Sequence, residues 1–252
     1  MNADAGTWGD DGAQNNRDLV MQVVCWALVA IAAPQLFVPV VSPVVLAAIG
    51  LAPWALLLMV FLGNGRYLLF GPKGHSVVVG AVFVPLILGM GALLQYNLVD
   101  WQGPATWTVG MAVGFTLLAK MADSSAVAAR PDTVTDAGRR SWPLVLIAGA
   151  FLGWATTVNL NASAAGLPDD VHSETVVRKW VSGGKSHTAY VNFASPPALG
   201  ITNFVVPMAL YRQSAPGDRL CLVIRTGALG WRWYNVKGRD ACGDPVWGKQ
   251  PG

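Results

Sequence analysis

The stretch "LVMQVVCWALVAIAAPQLFVPVVSPVVLAAIGLAPWALLLMVFL", residues Leu19–Leu62, contains 44 positions and not one Asp, Glu, Lys, Arg or His. As a single helix it would be ~66 Å long, at ~1.5 Å per residue. A bilayer's hydrocarbon core is only ~30 Å thick, so the run fits two crossings and not one. The prolines of "VPVVSP" (Val38–Pro43) divide it, because proline removes a backbone donor and clashes with the preceding turn. The expected spans are therefore 19–38 and 43–62, with a re-entrant pair as the alternative.

The same pattern continues outward. Three further apolar segments, 76–96, 104–120 and 142–160, give a membrane bundle of five spans. The whole chain is 53% hydrophobic and 12% charged, against about 25% charged in soluble domains. Pro34, Pro53 and Pro85 lie inside spans, where they kink a helix at tolerable cost. "GMGALL" (Gly89–Leu94) and "GMAVG" (Gly110–Gly114) supply small residues for close helix packing. The first eighteen residues carry Asp4, Asp10 and Asp11. That is unlike the basic start of a signal peptide, and 1–18 is expected to be a disordered cytoplasmic N-terminus.

Short loops set the orientation, since Lys and Arg collect on the cytoplasmic side. The loop after the second span carries Arg66 and Lys73. The loop after the fourth carries Arg130, Arg139 and Arg140, beside Lys120. The loop after the third, "NLVDWQGPAT", has neither Lys nor Arg and is flanked by Trp101 and Trp107. The basic loops are expected at the cytoplasmic lipid headgroups, the N-terminus inside and the C-terminal third outside. Miscounting the third, fourth or fifth span would invert that last placement.

Beyond a linker at 161–172 the hydrophobic period changes to two, the signature of strands. Strands are expected at 173–181, 186–193, 202–207, 219–226 and 231–236, with a helical turn in "MALYRQS". "SGGK" (Ser182–Lys185) reads as a glycine hairpin turn, "APGD" (Ala215–Asp218) as a type II turn, and "GALG" (Gly227–Gly230) as the last connection. Five short strands suit a partial barrel, SH3-like or OB-like, better than a sandwich. The domain 173–252 would thus be a small extracytoplasmic all-β unit. Alternation in "RLCLVIR" leaves open whether Leu220, Leu222 and Ile224 or the opposite set faces the core.

Charge divides the same way. Residues 161–252 hold ten Lys/Arg against six Asp/Glu, and residues 1–160 hold seven against eight. The tail is mildly basic, which favours anionic surfaces, although a solvated β-domain reads the same way. Cys25 lies in the first span, whereas Cys221 and Cys242 lie in the tail. An extracytoplasmic side permits a disulfide between the latter two.

Chemistry-bearing patterns are sparse. His75, His172 and His187 do not cluster, and no cofactor or metal set is evident, so no catalytic residue is assigned. A hairpin turning between Gly183 and Gly184 would put Trp180 opposite His187. In "WRWY", Trp231 and Trp233 share one strand face around Arg232. Trp180, His187, Trp231, Arg232 and Trp233 are therefore the candidate contact surface, with core packing the competing role for the indoles. The alternative is a transporter or membrane enzyme with a polar cavity lined by Gln22, Gln35, Gln95, Asn97 and Asn159. "NAS" at Asn161–Ser163 fits a glycosylation sequon but sits almost at the membrane. Partners read as the lipid bilayer, an envelope protein or a second copy of the chain, and not nucleic acid.

The runs "VVRKWVSGGKSHTAYVNF" and "VPMALYRQSAPGDRLCLVIRTGALGWRWY" resemble the C-terminal domain of a group of multipass inner-membrane proteins of proteobacteria. The residues that carry the resemblance are Gly183, Gly184, Tyr211, Pro216, Gly217, Asp218, Gly227, Leu229, Gly230, Trp231 and Trp233. It implies a few helices followed by an extracytoplasmic β-domain. The group has no assigned activity, so the resemblance carries over no functional residue.

Overall fold

A computed structural model describes residues 10–37, 43–63, 69–70, 77–129, 142–163, 169–183 and 187–243. Arg66, Lys73, His75, Arg130, Arg139, Arg140, Gly184, Lys185 and the turn at 38–42 lie outside them. The chain divides into two units, Met1–Gln95 with Pro104–Leu160, and Tyr96–Gly103 with Asn161–Gly252.

The first unit is helical. Helix α1 (Asp10–Ala32) passes into a 3-10 turn (Ala33–Leu36) where Pro34 enters. It starts inside the segment expected to be disordered, because an established helix propagates through polar residues more easily than a new one nucleates. Helix α2 (Pro43–Leu62) tolerates Pro53 in its interior. A π-turn (Val79–Phe83) leads into α3 (Val84–Gln95), just before Pro85 removes a donor from the ladder. Helices α4 (Gln102–Ala129) and α5 (Trp142–Ser163) complete the unit's set. Helix α4 extends nine residues past its expected end through "MADSSAVAA", a run without Gly or Pro to stop it.

Among the described residues, four helices are long and apolar enough to cross a membrane: Leu19–Leu36, Val44–Leu62, Gln102–Ala129 and Trp142–Ala162. Five were expected. The third, Val79–Gln95, is apolar but shorter, because the chain leaves the helix after Gln95 and becomes strand at Asn97. Large apolar side chains such as Val23, Trp26, Val109 and Leu117 point outward from these helices. The interior holds Cys25, Leu57, Val60, Phe115 and Leu152.

Close approach of helices falls partly where the small residues suggested. A Cβ on Gly91 would strike the Gln35 carbonyl, and one on Gly89 would strike Phe151. Gly110 and Gly114 have nothing within 4 Å of that position among the described residues, so their small-xxx-small spacing is not used there. The pair Gly149 and Gly153 of α5 is used instead. A Cβ on Gly153 would lie 2.8 Å from the Met111 Cβ and 3.0 Å from the Thr108 Cα.

The second unit is a near-closed six-stranded antiparallel sheet with order β1-β6-β5-β2-β3-β4. Its strands are β1 (Asn97–Leu98), β2 (Asp170–Val181), β3 (Ala189–Phe193), β4 (Phe204–Val206), β5 (Arg219–Thr226) and β6 (Arg232–Lys237). A short helix α6 (Met208–Gln213) separates β4 from β5, and α7 (Asp240–Gly243) follows β6. Strand β5 has the expected bounds, while β2 starts three residues early and shortens the expected linker. The sixth strand, β1, comes from the loop before α4 and was not expected.

Leu220, Leu222 and Ile224 face the core with Val191, Phe204, Tyr234 and Val236. The sheet curls until the Tyr234 hydroxyl accepts from the Val205 amide at 2.9 Å, joining β6 to β4. Phe204 meets the Tyr234 ring edge-on at 5.2 Å. At the "APGD" turn the Asp218 amide donates to the Ala215 carbonyl and Gly217 takes φ +94°. A type II turn requires that left-handed angle at its third position, and glycine adopts it freely.

Substituting Gly153→Val should cost about 1–3 kcal/mol through overpacking against α4, whereas Gly114→Val should leave stability unchanged. Thermal unfolding of both variants in detergent checks the contrast.

Candidate interaction surface

Two strand features shape the outer face of the β-unit. The first is an irregularity in β2, where pairing with β3 runs Val176–Phe193 and then Arg178–Asn192. The extra residue, Val177, is 58% exposed. A bulge of this kind lets Val176 and Lys179 both face inward while Arg178 and Trp180 face out. Lys179 then caps the end of α6, its Nζ donating to the carbonyls of Tyr211 and Ser214 and lying 4.6 Å from the Tyr211 ring centre. A cation suits the partial negative charge of a helix C-terminus.

The second feature is the hairpin register. Trp180 pairs with Tyr190 and Val181 with Ala189, and the Ser182 amide donates to the Thr188 carbonyl. The turn is therefore longer than a two-residue loop at Gly183–Gly184, and Trp180 faces Tyr190 instead of His187. His187 is exposed within the connection. The Trp180 and Tyr190 rings stack at 5.4 Å and 12° between planes, with the Arg178 guanidinium 5.7 Å from the indole centre. Both rings are half-buried. Together they form a flat aromatic step edged by a permanent positive charge, a surface suited to stacking and cation–π contact.

The remaining candidates are occupied elsewhere, at the opposite end of the sheet order. Trp233 is 6% exposed and meets Tyr96 edge-on at 6.1 Å. The indole of Trp231 lies against Gly103, where a Cβ would collide with it. Arg232 is clamped by Asp100: its Nε donates to Oδ2 at 2.9 Å and its Nη2 to Oδ1 at 3.0 Å. The Arg232 amide also donates to Asp100 Oδ2 at 3.0 Å. The expected contact set thus splits in two. Trp180 stays on the outer face, and Trp231, Arg232 and Trp233 hold the segment 96–103. Sequence reasoning missed Tyr190 and Arg178 because their part depends on the bulge and the hairpin register. It missed Asp100 because that partner is 132 residues from Arg232.

Asn161 is 1% exposed. Its Nδ2 donates to the Trp231 carbonyl at 3.0 Å, and its Oδ1 accepts from the Leu229 amide at 2.9 Å. Its own carbonyl accepts from the Ala228 amide, and a Cβ on Gly227 would collide with that oxygen. This asparagine organises the β5–β6 turn and is not presented as a glycosylation acceptor. Cys221 and Cys242 form a disulfide with Cα atoms 5.4 Å apart, and Cys25 is free and buried.

Of the five amides proposed for a polar cavity, Gln35 and Gln95 meet, the Gln95 side chain donating to the Gln35 carbonyl. Gln35 is buried and its Nε2 has no partner among the described residues. Gln22 and Asn159 are half-buried, and Asn97 belongs to β1 of the other unit. Among the described residues no group of three His, Cys, Asp or Glu side chains is placed to hold a metal. His172 Nε2 lies 2.9 Å from Asp170 Oδ2. No protein-family model matches this chain, and neither a curated protein nor a solved structure does.

The hydrogen bonds from Arg232 hold the Asp100 carboxyl below its usual pKa. A carboxyl depressed in the folded state stabilises above its unfolded pKa of about 3.9 and loses that contribution as pH falls through the folded value. Asp100→Asn should therefore cost about 0.5–1 kcal/mol at pH 7 for this partly exposed pair. The gap from the unmodified chain should narrow below about pH 4. Chemical denaturation of both proteins at pH 3–7 tests the sign.

Proposed function

We propose that this chain is a bacterial inner-membrane protein whose helices hold a small OB-like β-domain outside the cytoplasm, where the domain acts by binding and not by catalysis. The observation that carries the binding role is the stacked Trp180–Tyr190 pair with Arg178 on the outer face of the β2–β3 hairpin. The partner is a protein, lipid or wall component of the envelope.

The OB-like reading is supported by strand order. Without β1, the sequence around the barrel runs β2-β3-β4-β6-β5 and back to β2, with α6 between β4 and β5. The Val205–Tyr234 bond supports closure between β4 and β6, as a five-stranded Greek-key barrel requires.

The outside placement is supported by an argument that does not need the third span. The segment 96–103, before α4, and the residues from Asn161, after α5, belong to one folded unit. They must lie on one side of any membrane, so α4 and α5 together cross an even number of times. Both are long and apolar enough to cross once. The connection between them holds Arg130, Arg139 and Arg140, whereas 96–103 holds no Lys or Arg. Positive loops face the cytoplasm, which supports the reading with the β-unit outside. The Cys221–Cys242 bridge fits an oxidising compartment, and the resemblance to proteobacterial multipass proteins points the same way.

Alkaline phosphatase fused after Gly252 should be active, and a reporter inserted between Arg130 and Arg139 should behave as cytoplasmic. The opposite pattern overturns the placement. A photocrosslinker on an exposed position beside Tyr190 should capture one envelope component from intact cells, and Trp180→Ala should reduce the yield several-fold. Unchanged capture in that variant would remove the aromatic step from the proposal.

A further inference from the structure

A second surface of the β-unit shares no residue with the aromatic step. It is a groove of about 560 Å³ between the end of α6, the "APGD" turn, the start of β5 and the chain just after β6. Its lining includes Leu210, Gln213, Ser214, Asp218, Arg219 and Arg239. The last ladder pair of β5 and β6 is Cys221 with Lys237. Arg219 opens β5 and Arg239 follows β6 by two residues, so both lie at the same end of the β5–β6 ladder.

Neither arginine has an acidic partner among the described residues, and both are exposed. Among the described lining residues the one carboxylate is Asp218, whose Oδ2 accepts from the Ala215 amide at 2.6 Å. The segments that carry the two arginines are also tied together. Cys221 is two residues from Arg219, Cys242 is three from Arg239, and the two cysteines are bonded. Two cations from separate segments thereby line one groove beside a single described carboxylate, which leaves the described lining net positive.

We infer that Arg219 and Arg239 form a binding site for a phosphate-class oxyanion, kept in shape by the Cys221–Cys242 disulfide. A guanidinium binds two oxygens at once in a planar fork. Two of them lining one groove match a group with three or more oxygens better than a single carboxylate. The amide of Gln213 supplies a neutral donor at the same groove. The oxyanion is either free phosphate or the phosphodiester of a lipid headgroup, and the site chemistry is shared by both.

The test uses the full chain in phosphatidylcholine nanodiscs, titrated with inorganic phosphate at constant ionic strength and followed by calorimetry. Arg219→Gln and Arg239→Gln should each weaken binding about tenfold or more, and the double variant should abolish it. Near-UV circular dichroism verifies that these variants keep their fold. In a second arm, the chain is extracted from phosphatidylglycerol membranes and retained lipid is counted by native mass spectrometry. Binding of phosphate that the variants lose identifies a free oxyanion. Retention of phosphatidylglycerol that they lose identifies a headgroup. Absence of both, or either persisting in the double variant, overturns the site. Cys242→Ser should weaken whichever ligand binds several-fold, and unchanged affinity would overturn the role given to the bridge.

Discussion

The pairing of β1 with β6, reinforced by the Asp100–Arg232 clamp, is the constraint on which the rest of the β-unit's organisation depends. Asn97 pairs with Tyr234 and Leu98 with Trp233. A two-residue strand contributes few ladder bonds and is marginal alone. The bidentate ion pair adds charge-assisted hydrogen bonds, and the Val99 amide donates to the Arg232 carbonyl at 2.9 Å. This ties a connection between two helices into a sheet whose other strands begin more than seventy residues later. It covers the start of the outer edge of β6, at Trp233 and Tyr234, where backbone groups would otherwise be left unpaired.

The same pairing explains why several residues that look available for binding are not. Trp233 is enclosed beside Tyr96, Trp231 lies on Gly103, and Arg232 spends its guanidinium on Asp100. Gly103 and Gly227 are glycine for one reason, because a neighbouring group occupies the place of a Cβ. Asn161 performs the corresponding polar task, satisfying the backbone of the β5–β6 turn with both ends of its amide. Buried amides are retained where every polar atom has a partner, and this one is nearly fully engaged. What remains outside is the surface built by the β2 bulge and the groove beside the disulfide.

Much of this was legible locally. Charge-free runs longer than a bilayer is thick locate apolar helices whatever their neighbours do. Pro216 followed by Gly217 specifies a type II turn through two backbone angles, and the turn is there. Period-two alternation placed β5 to the residue. Other features were illegible because they are matters of pairing. Gly110 and Gly114 carry the same spacing as Gly149 and Gly153, yet among the described residues only the latter pair touches a neighbouring helix. Spacing describes a helix face, and the partner decides whether that face is used. The Trp180 register failed for a similar reason: two glycines suggested a tight turn, while the Ser182–Thr188 bonds close a longer one.

By itself the sequence determined the apolar helices, the change to strands near residue 170, the turns, and the basic character of the C-terminal third. Each follows from interactions between residues close in the chain, or between a segment and its solvent. Only the tertiary structure decided that residues 96–103 belong to the β-unit, that Trp180 stacks on Tyr190, and that Arg219 and Arg239 share a groove. Those outcomes depend on which distant segments pair and in what register, and a local pattern contains no information about its partner.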